Sequence, residues 1–309
     1  MSGYQIVKYK SSNFDEWNSF IETSKNGTFL FHRNFMEYHK HRFNDFSLMV
    51  YKGQALVAVL PANKVGATLH SHQGLTYGGL VLKLNLGVAK VESIFNELLR
   101  FIKTENFDRL IYKSIPLFYH KVISFDLEPL LHKLSVIITH REQNLAIDYQ
   151  LPFNIHKTKK KHFVKNHKLG FEIKQSSDFT KFWREVLVPR LQKKHKSSPV
   201  HTEEEITRLY NNFPKNIIQY EIYLNNELLA GITLFKTDTV VKSQYGAVTE
   251  NGEKYRALDY LFLYLINKFK KEGYSYFDMG TIAGNYSLLK QKEELGCRQY
   301  LQDFYELKL

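Results

Sequence analysis

The sequence predicts an α/β fold of the α+β mixed-sheet kind, built twice: two tandem domains joined by a helical connecting region. Three observations predict it. The same order of strand and helix signals occurs twice, offset by about 170 residues. The chain is 309 residues long, which suits two cores better than one. Its composition, 43% hydrophobic and 24% charged, is that of an ordered globular chain.

Each half opens on a hairpin. In the first, the alternating "FSLMVY" (46–51) turns at "KGQ" and returns as "ALVAVLPA" (55–62). In the second, "QYEIYL" (219–224) turns at "NNE" and returns as "LLAGITLF" (228–235). Glycine or asparagine is what so tight a turn requires. A glycine-bearing strand follows, "SHQGLTYGGLVL" (71–82) or "VVKSQYGAV" (240–248). Next comes an amphipathic helix: Val88, Val91, Phe95, Leu98, Leu99 and Ile102 lie at helical spacing, as do Leu258, Leu261, Phe262, Leu265, Ile266 and Phe269. A last strand closes each half, "DRLIYKSIP" (108–116) or "YSYFDMG" (274–280).

The closing strand "NLAIDYQL" places the boundary after residue 152, so the domains are 1–152 and 153–309, the second including a basic helical connector over 153–215. In that connector Lys157–Lys168 reads as a helix with Gly170 as its C-cap. A second helix covers 179–195. A third covers 201–214, with Thr202 as N-cap and Glu205 in the capping-box position.

The formal charge of +12 favours an anionic partner: RNA, a phosphate, an acidic glycan or a membrane surface. A single cysteine, Cys297, rules out a disulfide framework and fits a reducing compartment. No apolar run is long enough to span a membrane, and the first residues lack a signal-peptide pattern, so the expected location is the cytoplasm.

Four stretches carry a family resemblance: "LTYGGLV" (75–81), the lysine-rich helix ending in "HKLGFEI" (167–173), "NELLAGITLF" (226–235) and "FDMG…NYSLLKQKEELG" (277–296). Their order resembles the GNAT acyltransferase superfamily, and more closely its tandem FemAB-like and CelD-like branch. The resemblance implies two GNAT-like domains and transfer of an acyl group to an amine, with no tightly bound cofactor. In the FemAB-like branch the donor is an aminoacyl-tRNA and the acceptor a peptidoglycan precursor. Elsewhere the donor is an acyl-CoA and the acceptor often an amino sugar. The sequence departs from the acyl-CoA pattern after "VVKSQYGAV". A CoA-binding GNAT has a basic, glycine-rich loop there, whose N–H groups cradle a pyrophosphate. This chain has "TENGEKYRALDYL" (249–261), leaving Arg256 at a helix start to meet a phosphate.

Amine acylation needs a path for the ammonium proton, donors for the oxyanion and a held leaving group. The family's closing pattern points to Lys292, four residues before Gly296, as the leading catalytic candidate; the bland alternative is a solvated helix lysine. Asp278 ends a strand where α/β ligands gather, as base, as orienting group or as a cap of the loop that follows. Tyr245 is a candidate proton donor to the leaving group. The resemblance assigns donor binding to the backbone near Gln244 and Gly246, to Arg256 and to Gly280. For the acceptor, His72, Tyr77, Gly78 and Gly79 are candidate groove-lining residues, with Arg33 for a carboxylate or phosphate and His195 on an overhanging loop. His70 and His72 have no cysteine or carboxylate partner at ligand spacing, so no metal site is expected. The basic connector holds six lysines between 157 and 168, suited to a tRNA backbone, to peripheral membrane contact, or simply to solvent.

The leading function is acyl or aminoacyl transfer to an amino group of a cell-envelope precursor or amino sugar. The alternatives are an acetyl-CoA-dependent N-acetyltransferase and a non-catalytic basic module that binds RNA or glycan.

Overall fold

The computed structural model describes residues 3–122, 127–134 and 136–309 and opens with β1 (Tyr4–Lys8) and α1 (Phe14–Thr23). A helical turn, α2 (Arg33–Met36), and β2 (Asn44–Asp45) precede the first expected hairpin, β3 (Leu48–Lys52) with β4 (Ala55–Leu60). β5 (Asn63–Val65) and β6 (Thr68–His70) follow, and β7 is only Val81–Leu82. The sequence predicts one strand over 71–82, but residues 71–80 are irregular. His72 at φ +66° and Gly79 at φ +90° take the chain out of extended geometry. His70 and His72 therefore do not share a strand face.

The long α3 (Val88–Thr104) leads to β8 (Arg109–Lys113), and α4 (Glu128–Lys133) to β9 (Ile137–Asp148). Strands β1-β3-β4-β7 form one sheet, while β8, β6, β5 and β2 are neighbours in another. Val91, Phe95, Leu98 and Ile102 of α3 enter a core with Leu48, Val50, Leu60 and Leu110. The helical period thus buries one stripe, as the spacing predicts.

In the connector, α5 (Lys157–Asn166) ends on Gly170 at φ +78°, and β10 (Glu172–Ser176) follows. The expected helix over 179–195 is interrupted: α6 (Thr180–Phe182), a wide turn at 183–187, then α7 (Val188–His195). Pro189 explains the change, since it has no N–H to give to the preceding turn. The third helix is α8 (Glu203–Asn212), with the Thr202–Glu205 capping box in place.

The second hairpin, β11 (Ile217–Leu224) with β12 (Glu227–Lys236), turns on Asn225 and Asn226, both in the left-handed region. That is the two-residue turn matching the right-handed twist of the strands. β13 (Val240–Val248), α9 (Glu250–Lys254), α10 (Ala257–Lys271), β14 (Tyr276–Thr281) and α11 (Tyr286–Glu294) follow. The sheet order is β10-β11-β12-β13-β14-β9. One face is covered by α10, whose Leu261, Leu265, Ile266 and Phe269 pack with Ile222, Leu234 and Phe277. The last strand, β15 (Arg298–Lys308), pairs antiparallel with β8.

Contacts divide the chain into Met1–Glu142 with Leu301–Leu309, and Gln143–Tyr300. The division falls within β9 and β15, whereas the sequence suggests a break after residue 152 and an undivided C-terminus. A strand pairs wherever its edge is met, so a boundary inside one leaves no loop signal.

Candidate active site

In the unit Gln143–Tyr300, the parallel strands β13 and β14 are paired only at Val240↔Tyr276, Val241↔Phe277 and Lys242↔Asp278. Beyond that point β13 stays with β12, with an irregularity beside Gln244, while β14 stays with β9. The two strands part. The edge of β13 from 243 onward is left without a strand partner, and Gly246 on it is exposed. Unpaired backbone N–H groups seek an acceptor. Such an edge can serve a developing oxyanion, as expected for Gln244 and Gly246.

The side chains where the two strands part are charged and buried. Asp278 has no exposed surface; its Oδ1 accepts the Gly280 N–H at 2.7 Å and its Oδ2 accepts from Lys242 Nζ at 3.3 Å. Gly280 is at φ +73°, and a Cβ there would lie 3.2 Å from Lys242 Nζ. Lys292 of α11 is also buried, donating from Nζ to Gly280 O at 3.0 Å and Thr281 O at 2.9 Å. The helix places it because Asn285 caps Leu288 N and the next turns carry Lys292 back over β14. Burial, and then the neighbouring Lys242 ammonium, pull its pKa down to about 8, against the opposite pulls of Asp278 and Cys297. Burial pushes the Cys297 thiol up, keeping it protonated.

Lys292, Asp278 and Gly280 are thus brought together as the sequence suggests. Asp278 has both oxygens engaged, so it holds Gly280 and Lys242 rather than standing free as a base. Lys242 is the residue that sequence reasoning missed. Its signal is faint: a lysine third in "VVK" and an aspartate third in "YFD" become partners only once the parallel register is known.

Tyr245 lies elsewhere. Its hydroxyl meets His201 Nδ1 at 2.5 Å and accepts from His201 N at 3.2 Å, and its ring packs on Trp183. Burial pushes that hydroxyl up to about 12. Arg256 is exposed at φ +52° just before α10. The expected phosphate position before it is filled by α9: Thr249 Oγ1 accepts the Gly252 N–H at 3.0 Å, and a Cβ at Gly252 would strike Leu229 O at 2.4 Å. Gly252 is a packing glycine, not part of an anion cradle. α9 also brings acid to the place: Glu253 pairs with Arg190 and, at 2.9 Å, with Lys194, while Glu250 pairs with Lys193. His195 is exposed at the end of α7.

The residues expected to line an acceptor groove in the first unit are packed instead. Tyr77 is buried and donates to Thr28 Oγ1 at 2.9 Å. His72 is buried against His39, and burial drives its pKa down to about 3. A Cβ at Gly78 would lie 1.7 Å from Ser71 O, and one at Gly79 would lie 2.7 Å from the Tyr112 hydroxyl. These glycines let chain cross chain, not ligand meet backbone. Arg33 is buried between Glu37, Asp45 and Ser47 and stacks on Tyr9. Among the described residues no three His, Cys, Asp or Glu side chains cluster as metal ligands, and no helix is long and apolar enough to cross a membrane.

Comparison with known proteins bears on the fold. Residues 154–287 match the family model described as an acetyltransferase (GNAT) domain. Over nearly its whole length the chain shares its fold with solved proteins that include a tandem GNAT protein. It is similar to the crystal structure of FemX, with a TM-score of 0.68 and 12% identity, over 99% of this chain and 97% of that one. It is also similar to L-PGS from Bacillus licheniformis, with a TM-score of 0.64 and 14% identity, over 97% and 92% of the chains. A tandem GNAT protein from the clavulanic acid biosynthesis pathway aligns over 99% and 98% with a TM-score of 0.52 and 9% identity. A search of curated proteins returned no match. The parted strands β13 and β14 lie wholly within the matched GNAT domain, whereas Lys292 on α11 lies just beyond its end.

Proposed function

We propose that this tandem GNAT protein is an N-acyltransferase that moves an acyl or aminoacyl group onto an amino group of a cell-envelope precursor or amino sugar. The observation that carries the proposal is Lys292, a buried lysine with a pKa near 8, held on Gly280 and Thr281 of β14 beside the point where β13 and β14 part. A group poised near working pH is suited to proton transfer in both directions. The acceptor ammonium gives a proton to neutral Lys292, and the freed amine attacks the acyl carbonyl. The new C–N bond forms, the β13 edge holds the oxyanion, the attacking nitrogen releases its second proton to water, and the C–O or C–S bond to the leaving group breaks. Lys292 then returns its proton to the departing oxygen or sulfur.

The presence of FemX and L-PGS among the similar folds supports the acceptor class, and the geometry favours an RNA-borne donor over acyl-CoA. At α9 the glycine N–H is already capped, and two glutamates stand where a pyrophosphate would need donors. On α5 the one buried lysine, Lys159, takes Asp259 at 2.9 Å and Glu294 at 3.7 Å. Lys157, Lys160, Lys161, Lys165 and Lys168 remain exposed, on a segment with no acidic residue. Such a face suits a phosphate backbone.

The experiment is a thermal-shift and transfer panel with acetyl-CoA, CoA, total aminoacyl-tRNA and nucleotide-linked amino sugars. Aminoacyl-tRNA should support transfer and stabilise the protein in a salt-sensitive way. Stabilisation by CoA compounds alone would sink the RNA donor, and RNA binding with no transfer would favour a binding module.

A further inference from the structure

The environment of Lys292 contains a residue that the reaction outlined above does not use. Lys242 enters from β13 at the last register position before the strands part, and its ammonium faces Asp278 at 3.3 Å. A Cβ at position 280 would lie 3.2 Å from that ammonium, so a side chain there would push the lysine end aside by a few tenths of an ångström. The same Gly280 offers its carbonyl to Lys292 at 3.0 Å, so the two lysines meet opposite sides of one residue. Thr281 O takes a second Lys292 bond at 2.9 Å.

Two carbonyl acceptors match the two N–H bonds of a neutral amine. The charged form carries three donors, and the nearby Lys242 ammonium acts against it. The groups that face Lys292 are Lys242 from β13, Asp278 from β14 and Cys297 just before β15, with Glu293 acting on Cys297. Since burial keeps that thiol protonated, two cations and one carboxylate remain.

We infer that Lys242 is a positioning residue: locked by Asp278 over Gly280, it sets the charge state in which Lys292 meets the acceptor amine. The inference rests on the transferase reading given above. Lys242 does not touch the reacting atoms. It keeps a positive charge beside Lys292, biasing that side chain toward the free amine, while Asp278 limits the bias and holds Lys242 in place.

The test reads Lys292 directly, in the free protein, by NMR titration of 13C,15N-labelled lysine side chains. The Lys292 signal is identified by its loss in Lys292→Arg. In Lys242→Met the midpoint should rise by about one unit or more, because a neighbouring cation is gone. In Asp278→Asn it should fall. The double variant Lys242→Met/Asp278→Asn removes the Lys242–Asp278 pair as a whole, and its midpoint should lie between those of the two single variants. This double variant keeps the question answerable if Lys242→Met fails to fold. The acidic, ascending limb of the pH–rate profile should move with the NMR midpoint in each variant. An unmoved Lys292 midpoint in Lys242→Met, or equal midpoints for the double variant and Asp278→Asn, overturns the inference. If the midpoints shift as described while Lys292→Ala transfers at the normal rate, the coupling stands and the transferase reading of Lys292 falls.

Discussion

The two halves carry the same order of elements, and each buries cationic side chains, but Arg33 in the first and the Lys242–Lys292 pair in the second are balanced in different ways. In the first unit Arg33 lies among Glu37, Asp45 and Ser47 with its plane over Tyr9, so every side of the guanidinium is occupied. In the second unit Lys242 and Lys292 share one carboxylate, Asp278. A balanced, stacked buried cation is packing. An unbalanced one is costly to hold and is the usual mark of a working site. The glycines follow the same division: Gly78 and Gly79 admit other parts of the fold, whereas Gly280 admits a lysine.

Substitutions can break or sharpen this contrast. The largest effect is expected for Lys292→Ala, which should slow acyl transfer by roughly 100- to 10,000-fold. Circular dichroism should show an intact fold, and loss of folding instead would put Lys292 on the same footing as Arg33. Arg33→Ala should do the reverse, costing about 3 kcal/mol or more in chemical denaturation because two carboxylates lose their partner. Its transfer rate at a temperature where it stays folded should be normal, and a selective loss of rate would bring the first unit into the chemistry.

Gly79→Ala and Gly280→Ala are the next pair. Both force a side chain into the left-handed region, at about 1–3 kcal/mol. Only Gly280→Ala should also move the pH–rate profile, since it displaces Lys242; identical profiles would remove that distinction.

The smallest effect is on stability against pH. Lys292 has a folded pKa of about 8, against 10.5 for an ordinary lysine. Below 8 it is charged in both folded and unfolded states, and the full penalty of burying the charge is present. Between those values the unfolded chain binds more protons, so this group makes the fold more stable as pH rises. Lys292→Met should flatten that rise in denaturation curves taken across the range, and an unchanged slope would contradict the assigned pKa.

Much of the fold was legible because it rests on local chemistry. Asn225–Asn226 demanded a tight hairpin, Thr202 and Glu205 a capping box, and the stripe from Leu261 to Phe269 a buried helix face. The errors came where local preference was overruled. Residues 71–82 alternate like a strand, but three glycines and a left-handed His72 make most of it irregular. The run 179–195 reads as one helix, but Pro189 takes away a backbone donor and the turn before it widens.

By itself the sequence determined the duplicated α/β order, the family likeness, the uncompensated basic connector and the lysine-bearing helix after β14. These depend on spacing along the chain, which side-chain volume, capping and turn geometry make readable. Only the tertiary structure decided that Lys242 faces Asp278, that Lys292 is buried over Gly280, and that Arg33, His72 and Tyr77 are packed away. Each of these depends on strand register or burial, and a charge has no set pKa until the groups around it are in place.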